Sequence, residues 1–192
     1  MPKNVEMLHP HGELSGIDVI GNCLEDNLRR LNRVIEGIDD SGLHWQIDSK
    51  TNSIAVIVWH MGRFLDVFFS RFVLGLQVED ECWFVGGWTN ETGYDPKGIG
   101  RDGWGSLNEY SPVEVSEIPR YSKDVAIGYV TQVYDSVRRY LQATSMAELA
   151  EVGYGFDGAY TKYQVLTMAI MDNVRHLGEI YLIKSLWERS GT

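Results

Sequence analysis

The sequence predicts an all-α protein, a four-helix bundle with one long loop between helices two and three. Four segments carry apolar residues at the three- and four-residue spacing that places them on one face of a helix. Residues that cap helices, or glycines that end them, stand at the boundaries of these segments. The chain has 192 residues, of which 44% are hydrophobic, so we expect residues 1–192 to form a single domain around one core.

The first two helices are predicted in the first 75 residues. Helix one runs from about Gly16 to Asp39, and helix two begins at Asn52 or Ser53, either of which can cap it, and continues to about Leu74. A glycine follows each of them as an exit signal. Helix two is apolar on most sides, so we expect it to be the most buried of the four. The apolar stripe of helix one consists of Ile17, Ile20, Leu24, Leu31, Val34, Ile35 and Ile38.

The last two helices are predicted from the same apolar spacing and end signals. Helix three is predicted from about Lys123 to Ala143, and helix four from about Thr161 to Arg189, with Gly191 beyond its end. Both carry an apolar stripe at helical spacing. The stripe of helix three contains Val130, Val133, Tyr134, Val137 and Leu141, and helix four carries Val165, Met168, Ala169, Ile180 and Ile183 beside several polar residues.

The connection over residues 77–122 has the composition of an irregular segment, rich in glycine and aromatic residues. Its length, roughly 45 residues, is far above the handful that usually joins packed helices. Long ordered loops of this kind serve as lids over functional sites or as covers for one end of a bundle, and both interpretations are open. The length also permits a crossover in place of a simple up-down-up-down path.

Composition and charge narrow the function classes. Acidic residues outnumber basic ones 27 to 17, for a net charge of −10, so we expect no nucleic-acid partner. No apolar run is long enough for a membrane span, and no signal peptide is recognisable at the N-terminus, so we expect no membrane partner. The two cysteines, Cys23 and Cys82, are too few for a disulfide scaffold. These features predict a cytoplasmic protein.

A metal site is suggested by a pair of residues in helix four. Asp172 and His176 are four positions apart, and at roughly 100° per residue their side chains project within about 40° of each other on one helix face. His60, in the apolar second helix, is a candidate third ligand. Facing helices of a bundle commonly supply such ligands together, although a lone histidine on an apolar helix is also a common core residue held by a hydrogen bond.

Two longer motifs surround these residues. They are NSIAVIVWHMGRFLD at residues 52–66 and RHLGEI at residues 175–180. Together they resemble the paired signatures of the DinB-like (DinB/YfiT) superfamily of four-helix metalloproteins. The resemblance implies a divalent metal bound by His60, Asp172 and His176. Asp172 stands where relatives usually carry the longer Glu or a His, which predicts a weaker or absent grip at this position.

Two imidazoles and one carboxylate leave at least one coordination position free on an ion that takes four to six ligands, as a catalytic site requires. Zinc is the first expectation for the metal, with nickel or iron next. A metal at such a site activates water for hydrolysis or holds a thiolate as a nucleophile, and the ligand set does not choose between them.

Two further residues are candidates for a catalytic role. Arg63 lies on nearly the same helix face as His60, where it either binds an anionic group of a substrate or forms a structural ion pair, the interpretation that we favour slightly. Glu179, one turn beyond His176, is either a general base, a partner that orients His176, or an outward-facing residue. Of these, the orienting partner is preferred.

Three classes of function remain open on these grounds. The first is a metal-dependent enzyme acting on a small molecule, and the resemblance favours a transferase that uses a low-molecular-weight thiol over a hydrolase. The second is a small-molecule-binding bundle with a vestigial metal site and no turnover. The third is a structural protein in which the three polar residues are only a packed cluster. The resemblance also implies a homodimer.

Overall fold

A computed structural model describes residues 14–191 and contains four long helices. They are α1 (Gly16–Glu36), α2 (Ile54–Val67), α3 (Lys123–Ala143) and α4 (Lys162–Ser190). No β-strand occurs within residues 14–191, where the only strand-like pairing is an isolated bridge between Val152 and Thr161. The predicted all-α bundle is therefore confirmed.

The helix starts follow the capping residues that the sequence offers. Ser53 accepts a hydrogen bond from the Val56 amide at the start of α2. Thr161 forms a reciprocal capping box with Gln164 at the start of α4. At the other end of α4, Gly191 has a φ of 71°, the left-handed conformation that glycine adopts without strain. These boundaries agree with the sequence prediction to within a residue or two.

The end of helix one differs from the prediction, and helix two ends within a residue of the predicted Leu74 but changes its helix type on the way. Helix one stops at Glu36, and a separate turn, Asp40–Leu43, follows with its own cap at Asp39. The second helix is α-helical only to Val67 and then continues as a wider π-helical segment, Phe68–Val73. Apolar periodicity predicts that a helix exists but is insensitive to such a change of hydrogen-bond register.

The connection between α2 and α3 is less irregular than predicted. It holds five short helical turns, because glycines and local caps such as Ser111 permit brief helices without sustaining long ones. Trp83 and Tyr94 of this connection are buried, and Glu81 is fully buried. The segment therefore packs as part of the core along α2. The five turns are Val78–Asp80, Cys82–Val85, Trp88–Thr92, Arg101–Gly103 and Pro112–Ser116, and two more, Met146–Leu149 and Phe156–Gly158, lie between α3 and α4.

Helices α2 and α3 run in the same direction and approach closely. Gly62 lies beside Tyr129, and seven residues after Gly62 the ring of Phe69 meets that of Tyr140, eleven residues after Tyr129, with centroids 5.5 Å apart. A Cβ atom on Gly62 would lie only 2.7 Å from the Tyr129 ring, so the absence of a side chain is what allows this spacing. The same direction for two consecutive helices requires the long crossover between them.

Helices α1 and α4 also run in the same direction, opposite to the other two. Near the end of α1 the Lys184 ammonium donates to the Val34 carbonyl at 3.1 Å, and Cys23 and Val174 line one groove nearer the beginnings of the two helices. At the start of α3, Lys123 donates to the Ile38 carbonyl just beyond α1. The order is therefore up-down-down-up, with α1 and α2 each packed against α3 and α4.

Candidate metal centre

The three predicted metal ligands meet between α2 and α4. The Nε2 atoms of His60 and His176 are 3.0 Å apart, and each lies close to Asp172 Oδ2, at 3.4 Å and 3.3 Å respectively. His60 comes from the buried middle of α2, whereas Asp172 and His176 stand one turn apart on α4. The shorter aspartate side chain therefore reaches the same point as the two imidazoles.

The other ring nitrogen of each histidine has an oxygen acceptor. His60 Nδ1–H donates to the backbone carbonyl of Ser106, and His176 Nδ1–H donates to Glu179 Oε2 at 2.8 Å. A carbonyl and a carboxylate accept but cannot donate, so these contacts place a proton on each Nδ1. In neutral imidazoles both Nε2 lone pairs then point toward Asp172, and three electron-rich atoms face one point without a donor among them.

The spacing of these atoms fits a single small cation. With zinc bonds of 2.0–2.1 Å, two ligand atoms of a tetrahedral site are about 3.3 to 3.4 Å apart, and neighbouring ligands of an octahedral site with bonds of similar length are about 3.0 Å apart. The three observed separations run from 3.0 to 3.4 Å. The donor set of two imidazoles and one carboxylate suits zinc, nickel or ferrous iron.

The protonation equilibria reflect the same crowding. Burial raises the pKa of Asp172, but hydrogen bonds and charge interactions with His176 and His60, which act when these imidazoles are protonated, outweigh this effect and hold the pKa well below its usual value. Burial lowers the pKa of His176, and its contacts with Asp172 and Glu179 more than compensate, so that its pKa is raised. The cluster therefore favours an anionic carboxylate and attracts positive charge.

One side of the cluster faces solvent. The side chain of His60 is 6% exposed, while those of Asp172 and His176 are 15% and 17% exposed. The second oxygen of Asp172 pairs with Arg175 at 3.0 Å, and Arg175 is itself largely exposed. An ion held by the three inner atoms would thus remain reachable from this side, where the charged residues of α4 lie.

An aromatic wall adjoins the buried side. The His60 ring lies 5.6 Å from that of Phe64, which stacks on Phe68 at 4.1 Å. Trp104 and Phe156, from the two long connections, both pack against Phe68 and against each other. The His60 ring therefore has an aromatic cluster on the side of Phe64.

Arg63, one of the two catalytic candidates, lies deeper than the cluster. Its side chain is 1% exposed and pairs with Glu81 at 2.8 Å and with Asp66 at 3.4 Å. This arrangement agrees with the ion-pair interpretation of the sequence. Asp66 is also held by the backbone amides of Cys82 and Trp83, each at 2.9 Å.

Glu179, the other candidate, contacts His176 and is about half exposed. Its geometry is that of a partner that orients the imidazole, the alternative preferred from sequence. Neither Ser106 nor Glu81 was predicted from the sequence. Ser106 acts through its backbone carbonyl, which no side-chain pattern can signal, and Glu81 lies in an acidic run that looks like an exposed surface segment.

The fold and the cluster together define a helical bundle with a His–Asp–His group between two of its helices. The family model of the DinB superfamily matches residues 24–180, and the chain belongs to that superfamily. It is also similar to a solved structure described as the conserved protein of locus from Enterococcus faecalis, with a TM-score of 0.73 and 18% sequence identity. The similarity covers 90% of this chain and 97% of the other, and at this identity it shows the shared fold alone.

No curated protein matches the sequence. Within residues 14–191, no helix combines the length and apolar character needed to cross a membrane.

Proposed function

We propose that this protein binds a divalent metal ion through His60, Asp172 and His176 and uses it in a reaction on a small molecule. The proposal depends on the convergence of three acceptor atoms, one from each of His60, Asp172 and His176. In both histidines the other ring nitrogen, Nδ1, already donates a hydrogen bond. Such an arrangement is relieved by positive charge, either a proton on one imidazole or a metal ion shared by the three atoms, and their separations of 3.0 to 3.4 Å suit the metal ion. Zinc is the proposed metal, with nickel and iron as alternatives.

The proposed reaction is transfer of a group to or from a low-molecular-weight thiol. When bound, a divalent ion supplies a Lewis acid that lowers the pKa of a coordinated thiol or water. Around it, Glu179 fixes the orientation of His176, and the Phe64 side of the cluster excludes water from the inner face. Superfamily membership supports the choice of a thiol, and hydrolysis is the alternative because the same ligands suit activation of water.

The metal proposal is tested by elemental analysis of protein purified without chelator, beside three variants. His60→Ala and Asp172→Asn should lose the metal, and Asp124→Asn, which alters an exposed carboxylate on α3, should retain it. We expect one equivalent per chain in the wild type, with zinc predominating. Wild-type protein that stays metal-free after reconstitution with zinc, nickel and ferrous iron would exclude the proposal.

The reaction class needs a separate assay. Metal-loaded protein is incubated with electrophilic substrates in the presence of cysteine-derived low-molecular-weight thiols, and in parallel with ester and amide libraries without thiol. Thiol consumption that disappears in His176→Ala supports the transferase, whereas thiol-independent cleavage supports the hydrolase. Metal binding without turnover in either arm supports the non-catalytic binding bundle that the sequence also allowed.

We also propose that the protein is a homodimer. The outer side of α4 carries the exposed apolar residues Met171, Val174, Tyr181 and Leu182 around Gly178, which leaves an apolar surface without a partner in the single chain. Sedimentation of the wild type and of Leu182→Glu checks this. A monomeric wild type at micromolar concentration would contradict it.

A further inference from the structure

The buried guanidinium of Arg63 binds the connection between α2 and α3 at two successive carbonyl groups. Its Nε donates to the Gly105 carbonyl at 3.0 Å, and its Nη2 donates to the Trp104 carbonyl at 3.2 Å. The next residue, Ser106, supplies the carbonyl that accepts the His60 Nδ1–H. Arg63 is three positions after His60 on the same helix, so one turn of α2 holds three consecutive carbonyls of the connection.

The segment held in this way has little room to shift. Gly105 has a φ of 63°, and a Cβ atom there would lie 2.2 Å from the Pro96 carbonyl oxygen. The side chain of Ser106 donates to Asn108 and the residue is 1% exposed. The position of the Ser106 carbonyl is therefore determined mainly by the contacts of its two predecessors with Arg63 and by the tight packing around them.

The guanidinium is itself fixed by two carboxylates. Glu81 and Asp66 are both fully buried, and Glu81 also pairs with Arg71, so the charges of the network are compensated. A planar guanidinium can serve carbonyls on one edge and carboxylates on another, which a lysine ammonium cannot do in the same geometry. The identity of residue 63 as arginine thus matters for the carbonyl contacts beyond its charge.

We propose that Arg63 is a positioning residue for the metal centre: by fixing the 104–106 segment it holds the His60 imidazole in the Nδ1–H tautomer, with Nε2 directed at Asp172 and His176. This proposal rests on the proposed metal function for its consequence, but the tautomer can be measured without metal. Groups that orient metal-binding histidines typically change metal affinity roughly 10- to 100-fold when removed.

The alternative is that Arg63 only stabilises the fold, and the two roles differ in what they change. Arg63→Lys keeps a positive charge for Glu81 but loses the planar contacts with the carbonyls. Gly105→Ala displaces the segment from Pro96 without altering any buried charge. Leu141→Ala, which opens a cavity at a buried position near the end of α3, is the control for a loss of stability without change at the 104–106 segment.

The experiment compares these variants with the wild type under conditions in which circular dichroism shows each to be folded. Nitrogen NMR of the metal-free proteins reports the tautomer of His60, and competition with a chromophoric chelator reports the zinc dissociation constant. We expect a His60 Nδ1–H tautomer in the wild type and Leu141→Ala, and a mixed tautomer with roughly 10- to 100-fold weaker zinc binding in Arg63→Lys and Gly105→Ala.

Two results would overturn the inference. One is an unchanged His60 tautomer in either Arg63→Lys or Gly105→Ala, and the other is an equal loss of zinc affinity in Leu141→Ala. If the wild type binds no zinc, the proposed function fails, and the tautomer comparison still decides the role of Arg63. If Arg63→Lys does not fold, Gly105→Ala still tests the step on which the inference depends, because an unchanged His60 tautomer there would show that the 104–106 segment does not set it.

Discussion

The close approach of α2 and α3 at Gly62 can be tested by adding one methyl group. In Gly62→Ala the new Cβ would lie 2.7 Å and 2.9 Å from two carbons of the Tyr129 ring and 3.1 Å from Val130 Cγ2. Carbon atoms in contact prefer about 3.5 to 4.0 Å, so the ring or the helix must move by roughly 0.8 Å or more.

The ring of Tyr129 cannot easily give way. Its hydroxyl donates to Asp66 at 2.9 Å, and the ring packs nearly perpendicular to that of Trp83 with centroids 4.8 Å apart. Overpacking of this kind costs about 1 to 3 kcal/mol, and the better helix propensity of alanine returns up to about 1 kcal/mol. We therefore expect Gly62→Ala to lower the free energy of unfolding by about 1 to 2 kcal/mol.

Gly178 provides the matched control, because it is also inside a long helix but a Cβ there would meet nothing within 4 Å in the single chain. Both substitutions are compared in the Leu182→Glu background, which removes the proposed dimer contact at this surface. Gly178→Ala should raise the free energy of unfolding by about 0.5 to 1 kcal/mol. At about 2 to 4 °C per kcal/mol for a chain of this size, calorimetry of the two chelator-treated proteins should separate their melting temperatures by roughly 3 to 12 °C. A Gly62→Ala protein as stable as the wild type would refute the packing argument.

Three further predictions concern thiol reactivity, capping and pH. Burial raises the pKa of Cys82 to about 12, whereas Cys23 is exposed. A thiol reagent at mildly alkaline pH should therefore label one cysteine per native chain and two in denaturant. Rapid labelling of both thiols in the native protein would contradict this. Thr161→Ala should cost about 1 kcal/mol in chemical denaturation, whereas Thr161→Ser should be nearly neutral, and equal losses in both would argue against the cap. Burial lowers the pKa of His176, but its carboxylate partners outweigh burial and raise the pKa. Protons should therefore displace zinc as the pH falls through that raised pKa. A zinc affinity that is independent of pH in this range would be inconsistent with His176 as a ligand.

The parts of the fold that were predicted from sequence are those with a local cause. Ser53 and Thr161 mark helix starts because their side chains satisfy backbone amides within three residues, and the third helix was predicted with the bounds it has, Lys123–Ala143. The π-helical turn at Phe68–Val73 was missed, since apolar side chains line either kind of helix. The relative direction of the helices could not be predicted either, because parallel packing of α2 and α3 depends on contacts between residues more than sixty positions apart in the chain.

In the candidate site, too, the features with a local cause in the sequence were predicted and those that depend on distant contacts were not. Asp172 and His176 were paired by helical spacing, and His60 was added because facing helices commonly share ligands and because the surrounding motif resembles the superfamily. The role of Asp172 at the centre, within 3.4 Å of both histidines, depends on how α2 and α4 are placed, which spacing along one helix cannot give. The role of the Ser106 carbonyl could not be predicted for a simpler reason, since every residue carries a backbone carbonyl.

Under the proposed function, the distance between the two histidines along the chain couples metal binding to folding. His60 and His176 are separated by 116 residues, so a partly folded chain in which α4 has not yet docked offers one histidine on α2 and an incomplete pair on α4. Such a species would bind a metal ion weakly, and tight uptake would occur only once the bundle has closed. A metal added during refolding should therefore bind tightly only late, after the native arrangement has formed. The rate of metal binding would then report the rate at which the last helix docks.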